Sequence, residues 1–107
     1  MKITQKNFRK YQVYALVTGA ASGMGRIYAK VLASKGYNII AVDINSKMLD
    51  ETVEIVKEEV KNLSDFRSAD KANFNIIPVV QDLSQKEAAS KIFAIAEEAG
   101  CEVEVLV

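Results

Sequence analysis

The sequence predicts an α/β fold in which a doubly wound parallel sheet carries helices on both faces. Three observations indicate this class. Short apolar runs alternate with segments whose apolar residues recur every three or four positions, the first run ends in a turn with three glycines, and the second ends in an aspartate. Such alternation forms right-handed βαβ units with parallel strands. We expect residues 1–107 to form a single domain.

Composition excludes several functional classes. Of the 107 residues 50% are apolar and 26% charged, with 14 basic and 14 acidic side chains, so we expect a folded chain with no nucleic-acid partner. No apolar stretch resembles a signal peptide or membrane span, and the single Cys101 fits a reducing compartment; we expect a cytoplasmic protein with no membrane partner. The absence of histidine excludes Ser-His-Asp catalysis and histidine-ligated metal within this chain. The basic residues among positions 2–10 are interpreted as a solvated arm.

The first strand is predicted at residues 13–18, VYALVT, an apolar β-rich run typical of a strand buried on both faces. A helix follows the glycines. Its predicted core-facing stripe consists of Met24, Ile27, Tyr28, Val31 and Leu32. Gly36 is placed to end this helix in a left-handed conformation.

The same alternation then repeats along the chain. Residues 38–43, NIIAVD, predict a second buried strand. The stripe of the second helix is predicted to be Leu49, Val53, Val56, Val60 and Leu63. The polar, turn-rich residues 62–73 predict a loop before the third strand.

The third strand is predicted near residues 75–81 and contains Pro78, which cannot donate to a ladder and therefore indicates an edge strand. Ser84 and Glu87 match the S-x-x-E capping box and are expected to open a third helix. The predicted buried face of that helix is Ala89, Ile92, Phe93 and Ala96, with Gly100 closing it. The last strand is predicted at residues 102–107, EVEVLV.

The turn after the first strand spaces its glycines as Gly19-x-x-x-Gly23-x-Gly25. Glycines there allow a tight exit from the strand, close approach of a ligand and close packing of the helix. The helix N-terminus suits a pyrophosphate, and Asp43 ends the second strand where an acid binds an adenosine ribose. Together they predict a dinucleotide site. A purely structural role for the glycines and a turn-forming role for Asp43 are the alternatives.

Two other functional loops do not match this turn. A P-loop requires Gly-Lys-Ser/Thr, whereas Arg26 and Ile27 follow the last glycine. A nucleophile elbow requires Gly-x-Ser-x-Gly, whereas Ala20 and Met24 occupy the flanking positions around Ser22. The Ser22 hydroxyl either binds a phosphate or ribose or caps the helix. Arg26 is interpreted as a solvated surface side chain.

The segment from Thr18 to Gly25, TGAASGMG, resembles the T-G-x-x-x-G-x-G signature of the short-chain dehydrogenase/reductase family. The resemblance covers nearly the whole chain and implies a Rossmann-type sheet. The sheet is expected to be incomplete, with strand order 3-2-1-4 and three helices. It implies a preference for NAD over NADP, because an acid after strand two repels a 2′-phosphate and Ser22 supplies no compensating cation. The coenzyme-binding residues that it implies are Gly19, Ser22, Gly23, Met24 and Gly25 near the pyrophosphate, Asp43 at the adenosine ribose, and Asp82 with Leu83 at the adenine.

The same resemblance implies an oxidoreductase that transfers hydride between a nicotinamide and an alcohol or carbonyl group of a small-molecule substrate. The family's chemistry requires a Tyr-x-x-x-Lys pair, and none of the 4 tyrosines has a lysine four residues later, so no catalytic residue is assigned. The chain stops at Leu106-Val107, where the family's Asn-Asn-Ala-Gly segment begins. We therefore expect the N-terminal part of a longer enzyme, truncated after strand four, inactive alone and self-associating through that open edge.

Rival interpretations remain at this point. The first is a naturally short, non-catalytic nucleotide-binding module that a partner completes. The second is a methyltransferase, which also places a glycine loop and an acid after its first two strands but does not require the Thr-Gly start. In a third, the glycines serve packing alone, and Gly19→Ala disturbs folding without affecting any nucleotide.

Overall fold

The computed structural model describes residues 11–107, which form a four-stranded sheet with helices on both faces. The elements in chain order are β1 (Tyr14–Thr18), α1 (Gly23–Ser34), β2 (Asn38–Asp43), α2 (Ser46–Lys61), α3 (Ser68–Lys71), β3 (Ile76–Val80), α4 (Ala88–Glu98) and β4 (Val103–Leu106). The basic arm predicted among positions 2–10 lies outside the described residues.

The sheet is parallel, and its strand order is β3-β2-β1-β4, which confirms the predicted topology. Strand β1 pairs with β2 along its whole length, from Tyr14 opposite Asn38 to Thr18 opposite Val42. Pro78 lies on β3, an edge strand, as its missing N–H predicts. All four strands therefore deliver their carboxyl ends to the same edge of the sheet.

The two faces of the sheet carry separate apolar clusters, because successive side chains of a strand point to opposite faces. In β1, Ala15 and Val17 join the cluster formed with α1 and α2. Leu16, between them, joins the second cluster, which contains Ile92 and Ala96 of α4. This three-layer arrangement explains why the two central strands are apolar on both faces.

Helix α1 packs on the sheet through small residues, and this corrects the predicted stripe. The buried positions are Ala29 and Ala33, whereas Met24 is 60% and Ile27 51% exposed. Tyr28 and Val31 are exposed as well, and Leu32 is half-buried. Alanine lets the helix backbone approach the sheet closely, so the larger apolar side chains turn outward. The predicted helix is confirmed, but its predicted buried face is wrong.

The second helix and the loop after it agree with the sequence more closely. Leu49, Val53, Val56 and Val60 are buried, as predicted. The Asn45 side chain caps α2 by accepting a hydrogen bond from the Met48 N–H at 3.0 Å. Leu63 lies beyond the helix and is half-buried, and the predicted loop over residues 62–73 contains the short helix α3.

Helix α4 begins later than the sequence predicts. The capping box is wrong: Glu87 occupies the N-cap position without a side-chain capping bond, and Ser84 bonds to Asp82 instead. The buried face consists of Ala88, Ile92 and Ala96. Ala89 and Phe93, predicted to be buried, are exposed because they border an open apolar cavity of about 340 Å³ beside β4.

Tyr11 closes the amino end of the sheet, opposite the carboxyl edge. Its hydroxyl donates to the carbonyl of Ala33 at 3.0 Å, and its ring makes edge contacts with Phe66 and Phe74. Burial, with a smaller effect from the charge of Asp70, raises the pKa of Tyr11 to about 12. Tyr11 therefore ties the C-terminus of α1 to the segment around α3.

We expect Tyr11→Phe to lower the free energy of unfolding by about 1 kcal/mol at neutral pH, because one hydrogen bond is lost. The pKa of Tyr11 is higher in the folded state than its ordinary value of 10.0, so the wild type loses stability as pH rises from there towards about 12. Phenylalanine does not titrate. The difference in unfolding free energy between the wild type and Tyr11→Phe, measured by urea denaturation, should therefore shrink over that pH range.

The other tyrosines titrate in both chains, so the difference isolates Tyr11. A difference in unfolding free energy that stays constant from neutral to strongly alkaline pH would contradict this assignment.

Candidate functional site

The carboxyl edge of the sheet brings together residues that are far apart in the sequence. A cavity of about 170 Å³ lies there, between the ends of β1, β2 and β3. It is lined by Gly19, Asp43, Ile44, Gln81, Asp82, Leu83 and Ser84. Four of these were predicted from the sequence. Ile44, Gln81 and Ser84 were not, although each neighbours a residue that was.

The glycine-rich loop, residues 19–25, starts at this cavity and runs into α1. Gly19 and Gly23 have φ values of 65° and 57°, in the left-handed region that favours glycine. Gly25 serves packing instead, because a Cβ on it would overlap the carbonyl oxygen of Gly19. The spacing of the three glycines therefore combines two backbone turns with one close contact across the loop.

Ser22 and Met24 lie on the outer side of this loop. Ser22 occupies the N-cap position of α1, but its side chain makes no capping hydrogen bond. The capping alternative is therefore not what the structure shows. Met24 is exposed, and the first turn of α1 contains no acidic residue. The first turn keeps the partial positive charge of a helix N-terminus, which favours an anion.

Asp43 is bound to the glycine-rich loop. Its Oδ2 accepts a hydrogen bond from the N–H of Ala21 at 3.0 Å, and its Oδ1 accepts one from the N–H of Asn45 at 3.0 Å. Each carboxylate oxygen has a further lone pair. The aspartate thus fixes the loop to the end of β2 and retains the capacity to accept hydrogen bonds from hydroxyl groups in the cavity.

Asp82 is positioned by a local turn after β3. Its Oδ1 accepts hydrogen bonds from the Ser84 hydroxyl at 2.7 Å and from the Ser84 N–H at 2.9 Å. Together these bonds lower the pKa of the Asp82 carboxyl group. A polar turn of this kind holds Asp82 and Leu83 at the mouth of the cavity.

Thr18 joins β1 to the end of the chain. Its hydroxyl donates to the carbonyl of Val107 at 2.9 Å, and the Val107 N–H donates to the carbonyl of Leu16 at 2.9 Å. This contact is not predictable from local sequence, because the partner of Thr18 lies 89 positions away. The backbone N–H of Thr18 donates to the same Val107 carbonyl at 3.0 Å, so the hydroxyl adds a second hydrogen bond where β1 meets the residue after β4.

Arg26 is not the solvated side chain that the sequence analysis expected. Its guanidinium donates to Thr52 Oγ1 at 2.8 Å and to the carbonyls of Ala21 at 2.6 Å and Met48 at 3.1 Å. An ion pair with the exposed Glu51 at 3.6 Å adds little. Arg26 therefore points from α1 towards α2 and does not face the cavity.

Three of the tyrosines lie at the other end of the sheet. Tyr14 begins β1, Tyr37 precedes β2, and Tyr11 packs beside α3. Burial raises the pKa of both Tyr14 and Tyr37, and the carboxylate of Glu104 raises that of Tyr37 further. A tyrosine that exchanges protons at neutral pH needs a lowered pKa. These three residues thus have neither the place nor the acidity for catalysis at the carboxyl edge.

Two further features concern residues 11–107 only. No helix within that range has the length and apolar character to cross a membrane. Over the same residues, no group of three or more histidine, cysteine, aspartate or glutamate side chains is arranged to hold a metal ion.

The parallel sheet, the glycine-rich turn and the acid after the second strand define a Rossmann-type fold of the nucleotide-binding class. A family model described as "short chain dehydrogenase" matches residues 13–107. The chain therefore belongs to the short-chain dehydrogenase family, whose members are oxidoreductases that typically use NAD(P). Membership of this family argues against the methyltransferase alternative.

Individual relatives agree with this assignment. The chain is 40% identical over 80 residues to a very-long-chain 3-oxoacyl-CoA reductase of Kluyveromyces lactis, covering 66% of this chain and 23% of that protein. The NADPH dependent reductase YwfH, involved in bacilysin biosynthesis, superimposes with a TM-score of 0.73 at 20% identity, over 89% of this chain and 33% of that one. NAD+-bound xylitol dehydrogenase superimposes with a TM-score of 0.69 at 22% identity, over 92% of this chain and 32% of that one.

At these identities the two structural matches show the fold. The chain spans about a quarter of the length of the curated relative and about a third of each structure.

We expect Gly25→Ala to destabilise the chain by about 3 kcal/mol, because the new Cβ would overlap the backbone carbonyl of Gly19. Gly23→Ala is the matched control: nothing lies within 4 Å of its Cβ, so it should lose only about 1 kcal/mol for its left-handed φ. Urea denaturation compares the two. Equal losses would show that the close contact between Gly25 and Gly19 is not a constraint.

Proposed function

We propose that this chain is the coenzyme-binding N-terminal part of an NAD(P)-dependent oxidoreductase. The intact enzyme would transfer hydride between the nicotinamide and an alcohol or carbonyl carbon of a small-molecule substrate. The observation that carries the proposal is the hydrogen bond between Ala21 and Asp43, which joins the glycine-rich loop to the acid at the end of β2. This hydrogen bond supports the proposal because it holds the start of α1 next to a carboxylate, and a dinucleotide would need a helix N-terminus for its pyrophosphate and an acid for its ribose.

In this proposal, different residues of the carboxyl edge contact different parts of the coenzyme. The pyrophosphate lies against the glycine-rich loop and the first turn of α1, formed by Gly19, Ser22, Gly23, Met24 and Gly25. Asp43 accepts hydrogen bonds from the adenosine ribose. Asp82 and Leu83 border the adenine, together with Ile44, which lines the same cavity.

NAD is the coenzyme that the charges around Asp43 favour. A 2′-phosphate on the ribose would meet a carboxylate whose position is fixed by two backbone N–H groups. Ser22 carries no charge, and the guanidinium of Arg26 is directed towards α2. No cation on this loop compensates the repulsion, so NADP should bind more weakly.

Turnover requires groups that this chain does not supply at the carboxyl edge. A proton must pass to or from the substrate oxygen, and the family uses a Tyr-x-x-x-Lys pair for this step. The sequence holds no such pair. We therefore propose that residues 1–107 bind the coenzyme without catalysing hydride transfer on their own.

The second candidate function is a non-catalytic nucleotide-binding module that a partner completes. Strand β4 offers an edge that such a partner would cover, as it also would in an N-terminal part, since among the described residues β4 pairs only with β1. Leu106 is 66% exposed, and the apolar cavity that it shares with Phe93 and Leu16 adjoins this edge. Unpaired strand edges with apolar side chains attract further strands. We propose that this chain self-associates through β4.

We expect NAD to bind more tightly than NADP in a calorimetric titration of the chain. Asp43→Asn removes the negative charge and one of the two accepted backbone hydrogen bonds, and because only the charge discriminates against a 2′-phosphate, the ratio of the NAD affinity to the NADP affinity should fall by about tenfold. Asp50→Asn, on the exposed face of α2, is the charge-matched control and should leave the ratio unchanged. Equal affinities for the two coenzymes in the wild type would contradict the preference.

Sedimentation velocity tests whether the chain self-associates through the open edge of β4. The wild type should form dimers or larger species at micromolar concentration, and Leu106→Lys should shift the distribution towards monomer, because a lysine on an edge strand opposes pairing. A wild type that sediments as a monomer throughout would overturn the proposal of self-association.

A further inference from the structure

Two polar residues outside the cavity, Thr52 and Arg26, bind the glycine-rich loop on the side that faces α2. Thr52, in α2, is fully buried, and its hydroxyl donates to the carbonyl of Ala20 at 2.8 Å, with a second contact to that of Ala21 at 3.3 Å. Arg26 donates to Thr52 Oγ1 and to the Ala21 carbonyl. Both loop carbonyls are therefore bound on the side that faces α2.

The threonine is unusual for its position. Threonine is a poor helix former, and within a helix its hydroxyl usually bonds to the carbonyl four residues earlier. Here that carbonyl belongs to Met48 and accepts from Arg26, while the Thr52 hydroxyl reaches across to the loop. A fully buried hydroxyl that both donates and accepts at 2.8 Å is a specific contact rather than a helix-packing residue.

The planarity of the peptide bond converts these carbonyl contacts into an orientation of N–H groups. In a trans peptide the C=O and N–H point in opposite directions. The Ala20 carbonyl points to Thr52, so the Ala21 N–H of the same peptide points to Asp43, where the structure shows its hydrogen bond. One peptide plane is thus held from both sides.

The next peptide plane follows the same rule. Its carbonyl, from Ala21, points to Arg26 at 2.6 Å. The N–H of Ser22 in that plane is therefore directed away from α2. A rotated peptide would instead present a carbonyl oxygen to the coenzyme and repel its phosphates.

We propose that Arg26 and Thr52 are positioning residues for the coenzyme. They fix two consecutive peptide planes of the glycine-rich loop, so that one N–H binds Asp43 and the next is directed to the side on which the pyrophosphate is proposed to lie. This inference rests on the proposed function for its coenzyme, but the orientation of the loop is a property of the chain alone. It assigns to helix α2 a role in coenzyme binding through residues that do not touch the coenzyme.

The test compares three variants of the chain. Thr52→Val keeps the shape and removes the hydroxyl, Thr52→Ser keeps the hydroxyl, and Val56→Ala destabilises α2 one turn further from the loop. Two measurements are made below the melting range of every variant: hydrogen exchange of the Ala21 amide without coenzyme, and the affinity for NAD by calorimetry.

We expect Thr52→Val to accelerate exchange of the Ala21 amide and to weaken NAD binding by about tenfold, the equivalent of one or two hydrogen bonds. Thr52→Ser should keep both the exchange rate and the NAD affinity at wild-type values, because it retains the hydroxyl. A role in packing alone would not produce this difference between serine and valine. Val56→Ala should lower the melting temperature without either effect.

The inference is overturned if Thr52→Val leaves both the exchange and the affinity at wild-type values, or if Val56→Ala changes them as much as Thr52→Val does. A wild type that does not bind NAD overturns the proposed function and the coenzyme part of this inference. In that case the exchange of the Ala21 amide still decides whether Thr52 orients the loop, so the two failures are distinguishable.

Discussion

The hydrogen bond from the Ala21 N–H to Asp43 is the contact on which the arrangement of the carboxyl edge depends. It joins the turn after β1 to the end of β2, and the adjacent bond from the Ala20 N–H to the Val42 carbonyl, at 3.0 Å, reinforces it. The glycine-rich loop can reach this position only because Gly25 has no Cβ to meet Gly19. Steric access and one charge-assisted hydrogen bond thus fix the site together.

The same edge shows how the fold divides structural and binding roles among neighbouring residues. Within the loop, carbonyl groups face α2 and are bound by Arg26 and Thr52, whereas the outer side carries Ser22 and Met24. Helix α1 approaches the sheet through Ala29 and Ala33, which brings its N-terminus close to the strand ends.

The sequence predicted the alternating strands and helices because these follow from local patterns, and the family resemblance implied the strand order. Strand order is confirmed, as is the edge position of Pro78. The predicted buried face of α1 was wrong because periodicity locates apolar residues but does not show that small side chains are the ones that pack on the sheet. The contacts of Arg26 and Thr52 were not predicted, since their partners lie up to 32 positions away. Which residues bind coenzyme stays a prediction.

Amide chemical shifts measured during an NAD titration would test whether the carboxyl edge binds NAD. We expect the shifts to concentrate at residues 19–25, at Asp43 and Ile44, and at Asp82 and Leu83. A second cavity, of about 360 Å³ and lined by Lys57, Lys61 and Lys71, lies near the opposite end of β3 and serves as an internal reference. Shifts confined to that cavity, or no saturable shifts at all, would contradict the account.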